Sequence, residues 1–117
     1  MSDARSTPTF QQFVVDIGKL RDYCLSPTHP HGRNKARVFR ALLGLRQSDA
    51  ELLRDALRNA PRDFPDRLVH RKTDQHGDQY RLSFEMNTPA GMATIRSIWI
   101  ARSDQPDVLR FISCYLE

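Results

Sequence analysis

The sequence has 117 residues, 39% of them hydrophobic, with six Phe, three Tyr and one Trp. That is enough for one domain with a modest core and too apolar for a disordered chain. Eighteen Lys and Arg oppose fourteen Asp and Glu for a net charge of +4, and fifteen of the cations are Arg, the side chain suited to bidentate phosphate contacts, so a polyanionic partner is favoured. Cys24 and Cys114 are the only cysteines, too far apart for a metal-ligand motif or a disulfide framework. No apolar run nears the roughly 20 residues that span a bilayer, and "MSDARSTPTF" has no signal-peptide pattern. The expectation is a cytoplasmic protein without a membrane partner.

In chain order, residues 1–11 read as a polar tail and "FVV" at 13–15 as an extended lead-in. Asp16 is placed to cap a helix over about 17–25 with Ile17, Leu20 and Cys24 on one face. "SPTHPHG" breaks that helix through Pro27, Pro30 and Gly32. A second helix is predicted from 33 to 43, burying Ala36, Phe39 and Leu43 and stopping at Gly44. "SDAE" (Ser48 to Glu51) reads as a capping box for a third helix ending at Asn59 or Ala60, with Leu53, Ala56, Leu57 and Ala60 inward and Pro61 just beyond.

After a loop at 61–67 the periodicity changes to two. "VHRKT" and "YRLSFEM" flank the turn-rich "DQHGDQ", "NTPAG" leads into "ATIRSIWIA", and "SDQPD" leads into "VLRFISCYL". Four strands joined by short links imply an antiparallel meander. The expected fold is a single α+β domain over 1–117, with N-terminal helices (12–60) packed on one face of a four-stranded antiparallel sheet (68–117).

Charge is unevenly distributed. From Tyr23 to Ser48 there is no acidic residue, while Arg33, Lys35, Arg37, Arg40 and Arg46 all fall inside. His29 and His31 lie just before the second helix, whose free N–H groups attract a phosphate, and histidine moves protons near neutral pH. The bland alternatives are a turn-capping histidine and a solvated charged face, although ordinary helix surfaces mix signs. In "TIRSIWI", Ile95, Ser97 and Trp99 point one way and Arg96, Ile98 and Ile100 the other, so either Arg96 or the Ser97/Trp99 pair is oddly placed. A Trp beside a Ser would stack a nucleobase if exposed and is simply core if not. Tyr115, with Ser113, ends the last strand. No P-loop, GxSxG, GxGxxG or HExxH motif occurs, and nothing requires a metal or another cofactor.

"KLRDYCLSPTHPHGRNKARVF", then "YRLSFEM", "TIRSIWI" and "SCYL", resemble a family of small bacterial domains of unknown function. These occur as stand-alone proteins beside antitoxin-like partner genes and as tips of polymorphic toxins. The likeness covers about residues 14–116 and rests on "HPxGRxKAxxF". More remotely, the helices, the Lys/His-rich helix entrance and Ser-x-Trp on a strand are similar to colicin D-type ribonucleases of the barnase/EndoU/colicin/RelE group. That likeness falls on Lys35, Ser97 and Trp99, whereas Asn34 stands where many relatives carry a histidine. The proton-transfer role therefore falls to His29, His31 or another group.

The expected function is a metal-independent endoribonuclease toxin of a toxin–antitoxin or toxin–immunity pair. It would cut tRNA or another RNA to leave a 2′,3′-cyclic phosphate. His29, Lys35, Arg96 and Ser97 would be catalytic, and His31, Arg33, Arg37, Trp99 and Tyr115 would bind substrate. The alternative is a non-catalytic RNA- or protein-binding module using the same basic surface.

Overall fold

The computed structural model describes residues 9–117. A short strand, β1 (Gln12–Val14), precedes a short helix, α1 (Ile17–Lys19), which widens into a π-helical turn at Leu20–Cys24. The Asp16 carboxylate starts this helix by accepting the Gly18 N–H at 2.9 Å, while Leu20 and Cys24 are buried.

Gly32 then lets the chain turn. A Cβ there would lie 2.2 Å from the Tyr23 carbonyl oxygen, so only glycine allows the next helix to start across the end of the first. That helix, α2 (Arg33–Leu43), buries Ala36, Phe39 and Leu43, and it ends at Gly44, whose φ of 66° is the left-handed cap. A 3-10 turn at Gln47–Asp49 leads into α3 (Ala50–Asp63). The capping box expected at Ser48 to Glu51 is replaced by one formed earlier, in which the Asp49 carboxylate accepts the Arg46 N–H at 2.8 Å. Pro61, expected beyond the helix, is buried within it, where it forfeits one intrahelical bond close to the end. No helix among the described residues is long and apolar enough to cross a membrane.

The sheet comprises β1, β2 (Val69–Asp74), β3 (Gly77–Thr88), β4 (Gly91–Arg102) and β5 (Val108–Leu116), in the order β1-β5-β4-β3-β2. It is five-stranded and mixed, which corrects the expected four-stranded antiparallel sheet. The fifth strand is β1, pairing parallel to β5 from Gln12↔Val108 to Val14↔Arg110. At three residues it carries no periodicity; its place comes from a long-range contact in which the Gln11 N–H donates to the Asp107 carbonyl at 2.7 Å.

Leu82, Phe84 and Met86 of β3, Ile95 and Trp99 of β4, and Leu109 and Phe111 of β5 share one core with Leu20, Phe39, Leu53 and Leu57 from the helical part. On the opposite face of β3, Arg81 and Glu85 are exposed. The β4–β5 register slips between Ile98 and Trp99, pairing Ile98 with Ser113 but Trp99 with Phe111 and leaving Ile112 as a bulge. Because β1 pairs β5 only as far as Arg110, the C-terminal half of β5 forms a sheet edge beside the start of α2.

Candidate functional site

The helix entrance is built by hydrogen bonds from His29. Its Nδ1 accepts the N–H groups of His31 and Gly32, each at 3.0 Å, and its carbonyl accepts the Arg33 N–H at 3.0 Å. The His29 N–H in turn donates to Ser26 Oγ at 3.2 Å. His29 thus caps the turn that leads into α2, whose own N-cap residue is Gly32, a turn-capping role that the sequence offered only as the bland alternative. With Nδ1 engaged by two donors, the ring proton sits on Nε2, which has no hydrogen-bond partner among the described residues.

The His29 ring stands edge-on to Tyr23, with centroids 4.7 Å apart, and the His31 ring lies 5.9 Å from that of His29. Lys35 Nζ sits 5.3 Å from the centroid of the same Tyr23 ring and donates to Ser113 Oγ at 2.8 Å. The fold therefore gathers His29, His31, Tyr23, Lys35 and Ser113 at the junction of α2 with the open edge of β5. Tyr23 had no sequence signal and was missed as a site residue, because its role comes from contacts with two groups later in the chain.

Behind this surface lie Cys24 and Cys114, both free and buried. A hydrogen bond shared with Cys114, helped by the nearby Lys35 ammonium, lowers the Cys24 thiol against the opposing effect of burial. The same hydrogen bond, with burial, pushes the Cys114 thiol up.

Ser97 and Trp99 are elsewhere. Both are fully buried, with Trp99 Nε1 donating to Ser97 Oγ at 2.8 Å and Ser97 Oγ donating to the Leu82 carbonyl at 2.7 Å. The expectation that Ser97 is catalytic and Trp99 binds substrate is corrected: in this fold neither reaches solvent. The cause is register, since Leu82 pairs with Ser97, and Trp99 lies between Tyr80 and Phe111, so this face of β4 is the core face.

Arg96, one residue along, points to the opposite face. Its Nε meets Glu117 Oε2 at 3.0 Å and its guanidinium lies 6.0 Å from the Tyr115 ring. A hydrogen bond from Ser83, followed by the Arg96 guanidinium, holds the Glu117 carboxyl below the usual carboxylate range. Tyr115 is two residues beyond Ser113 on β5 and so shares its face, roughly 7 Å along the strand. Arg96 and Tyr115 thus form a separate patch further along the edge that Lys35 reaches.

The remaining cations lie on the other flank of α2. Arg33, Arg37 and Arg40 follow i, i+4, i+7 spacing and form one stripe, while Lys35 is rotated from Arg33 by roughly 160°. The stripe, with Arg46, lines a groove of about 580 Å³. The acid-free segment is therefore two surfaces, with the buried edge of α2 between them. Among the described residues, no group of three or more His, Cys, Asp or Glu side chains is arranged to hold a metal ion.

The family described as "Domain of unknown function (DUF6883)" matches residues 7–117. No curated protein matches the sequence. Among solved structures, the fold is similar to a chain of the contact-dependent growth inhibition toxin–immunity protein complex from Klebsiella pneumoniae 342. The TM-score is 0.70 at 21% identity, covering 89% of this chain and 99% of that one.

Proposed function

The chain belongs to the DUF6883 family, and from the geometry of its helix entrance we propose that it is the toxin of a toxin–immunity pair and cleaves RNA there without a metal. The fold likeness to a chain of the Klebsiella complex supports the toxin–immunity setting. The observation that carries the chemistry is His29: two backbone N–H groups occupy its Nδ1, which leaves Nε2–H open, while its ring and the Lys35 ammonium both lie against the Tyr23 ring.

In this reading a phosphodiester lies against the start of α2. Nε2–H of His29 and the Lys35 ammonium donate to its non-bridging oxygens, where charge grows in the phosphorane. The 2′-hydroxyl attacks the adjacent phosphorus, giving its proton to His31. The bond to the 5′-oxygen breaks, that oxygen takes a proton from Lys35, and a 2′,3′-cyclic phosphate remains. Ser113 holds Lys35 in place, and Tyr115 with Arg96 offers a stacking and phosphate contact further along the β5 edge.

Incubating the purified chain with total tRNA in EDTA tests this. Cleavage with cyclic phosphate ends, lost in His31→Ala and Lys35→Ala, is expected; intact RNA after prolonged incubation would sink the proposal. A second reading, an RNA- or protein-binding module that cuts nothing, is favoured by one observation: Ser97, expected to be catalytic, and Trp99, expected to bind substrate, are core residues. It predicts salt-sensitive RNA binding with the strand left intact.

A further inference from the structure

The geometry points to a second, separate RNA contact: the arginine groove on the far flank of α2 is a nucleotide subsite that holds the strand away from the scissile phosphate. The identity of its occupant rests on the RNA reading above; its existence as an anion site rests on the groove itself.

Four features carry it. The groove is a concavity of about 580 Å³ lined by Arg33, Arg37, Arg40 and Arg46 together with Leu25 and Leu45, within the size range of small-ligand sites. No acidic side chain lines it among the described residues, and there none of the four guanidiniums is ion-paired; the only side-chain partner seen is Asn34, which accepts from Arg37 at 3.3 Å. Keeping like charges at i, i+4 on a helix costs stability, so the stripe opposes folding in the absence of an anion. Finally, the floor is apolar, with Leu25 and Leu45 from the segments flanking α2. Cations beside an apolar floor suit a strand whose phosphates are charged and whose bases are not. A carboxylate-bearing protein surface would satisfy the rim but leave the floor unused.

Lys35 and the stripe lie on different flanks of α2, so a strand gripped by both crosses the helix N-terminus between Gly32 and Arg33. The subsite then sets which nucleotides flank the cut, and it makes Arg40 and Arg46 substrate-positioning residues.

The test uses a 2′-O-methyl oligoribonucleotide, which lacks the attacking hydroxyl, titrated against the full chain over a range of salt by fluorescence anisotropy. Arg40→Gln/Arg46→Gln is compared with Arg58→Gln/Arg67→Gln, an equal charge change outside the groove. The groove variant is expected to bind about tenfold more weakly, with a log–log salt slope shallower by roughly 1.4, at about 0.7 per phosphate released, while the control stays close to wild type. Equal loss in both variants, or loss in neither, overturns the subsite. Cleavage assays on the same variants separate this claim from the nuclease reading. Groove-dependent binding with intact RNA keeps the subsite and ends the nuclease, whereas cleavage without groove dependence does the reverse.

Discussion

At the entrance to α2, His29 keeps Nε2–H free and Lys35 spends one of its three donors on Ser113, whereas on β4 the Ser97 hydroxyl and the Trp99 indole are satisfied by each other and by the Leu82 carbonyl. Both regions put polar side chains in unusual sequence settings. They differ in what is left over for a ligand. A polar group that the fold has fully paired and buried serves cohesion, because breaking it open costs the desolvation of each partner. A polar group held in place by part of its hydrogen-bonding capacity, with a further donor unpaired, stays open to a partner outside the chain.

Several substitutions would break or sharpen this contrast. The largest effect is expected at Trp99→Ala, which empties a fully buried site and should cost on the order of 3–5 kcal/mol in urea unfolding; a loss below 1 kcal/mol would mean the indole is not core. Gly32→Ala drives a methyl into the Tyr23 carbonyl. It should cost about 1–3 kcal/mol in the same assay and displace His29 from Tyr23, visible as changed His29 ring shifts by NMR. Ser97→Ala leaves Trp99 Nε1–H and the Leu82 carbonyl short of partners, for about 1–3 kcal/mol with little change in the rest of the fold.

The smallest effect is a pH dependence at the Arg96 patch. The folded-state Glu117 carboxyl is held below its ordinary value. Its stabilisation is thus fully present above the unfolded glutamate value and is lost as pH falls through the lowered folded one. Wild type and Arg96→Gln should therefore converge in stability in acid and separate slightly toward neutral pH. A gap that widens on acidification would reverse the sign assigned to this ion pair.

Much of the fold was legible where the signal is local. The α2 boundaries follow from the prolines and Gly32 before it and the left-handed Gly44 after it, and the alternation of Tyr80, Leu82, Phe84 and Met86 correctly sets one face of β3. Longer-range facts were not legible. β1 is three residues whose parallel pairing exists only through β5. On β4, alternation grouped Ser97 with Trp99 but left open which side was core, because Ile98 and Ile100 made the other side equally apolar; cross-strand register with Leu82 and Phe111 decided it. The candidate site was half legible. The acid-free run singled out His29 and Lys35, but the Tyr23 ring that both contact and the Ser113 anchor depend on contacts the sequence does not encode locally. That Lys35 and the arginines diverge follows from helical rotation alone and was available from their spacing.

The most direct measurement is RNA cleavage by the purified chain, compared per folded molecule between Lys35→Ala and Ser97→Ala. If the helix entrance is the working surface and β4 is core, Lys35→Ala lowers the cleavage rate by on the order of 10²–10³, and Ser97→Ala, though less stable, cuts like wild type. Cleavage that survives Lys35→Ala but is abolished in folded Ser97→Ala would contradict this assignment.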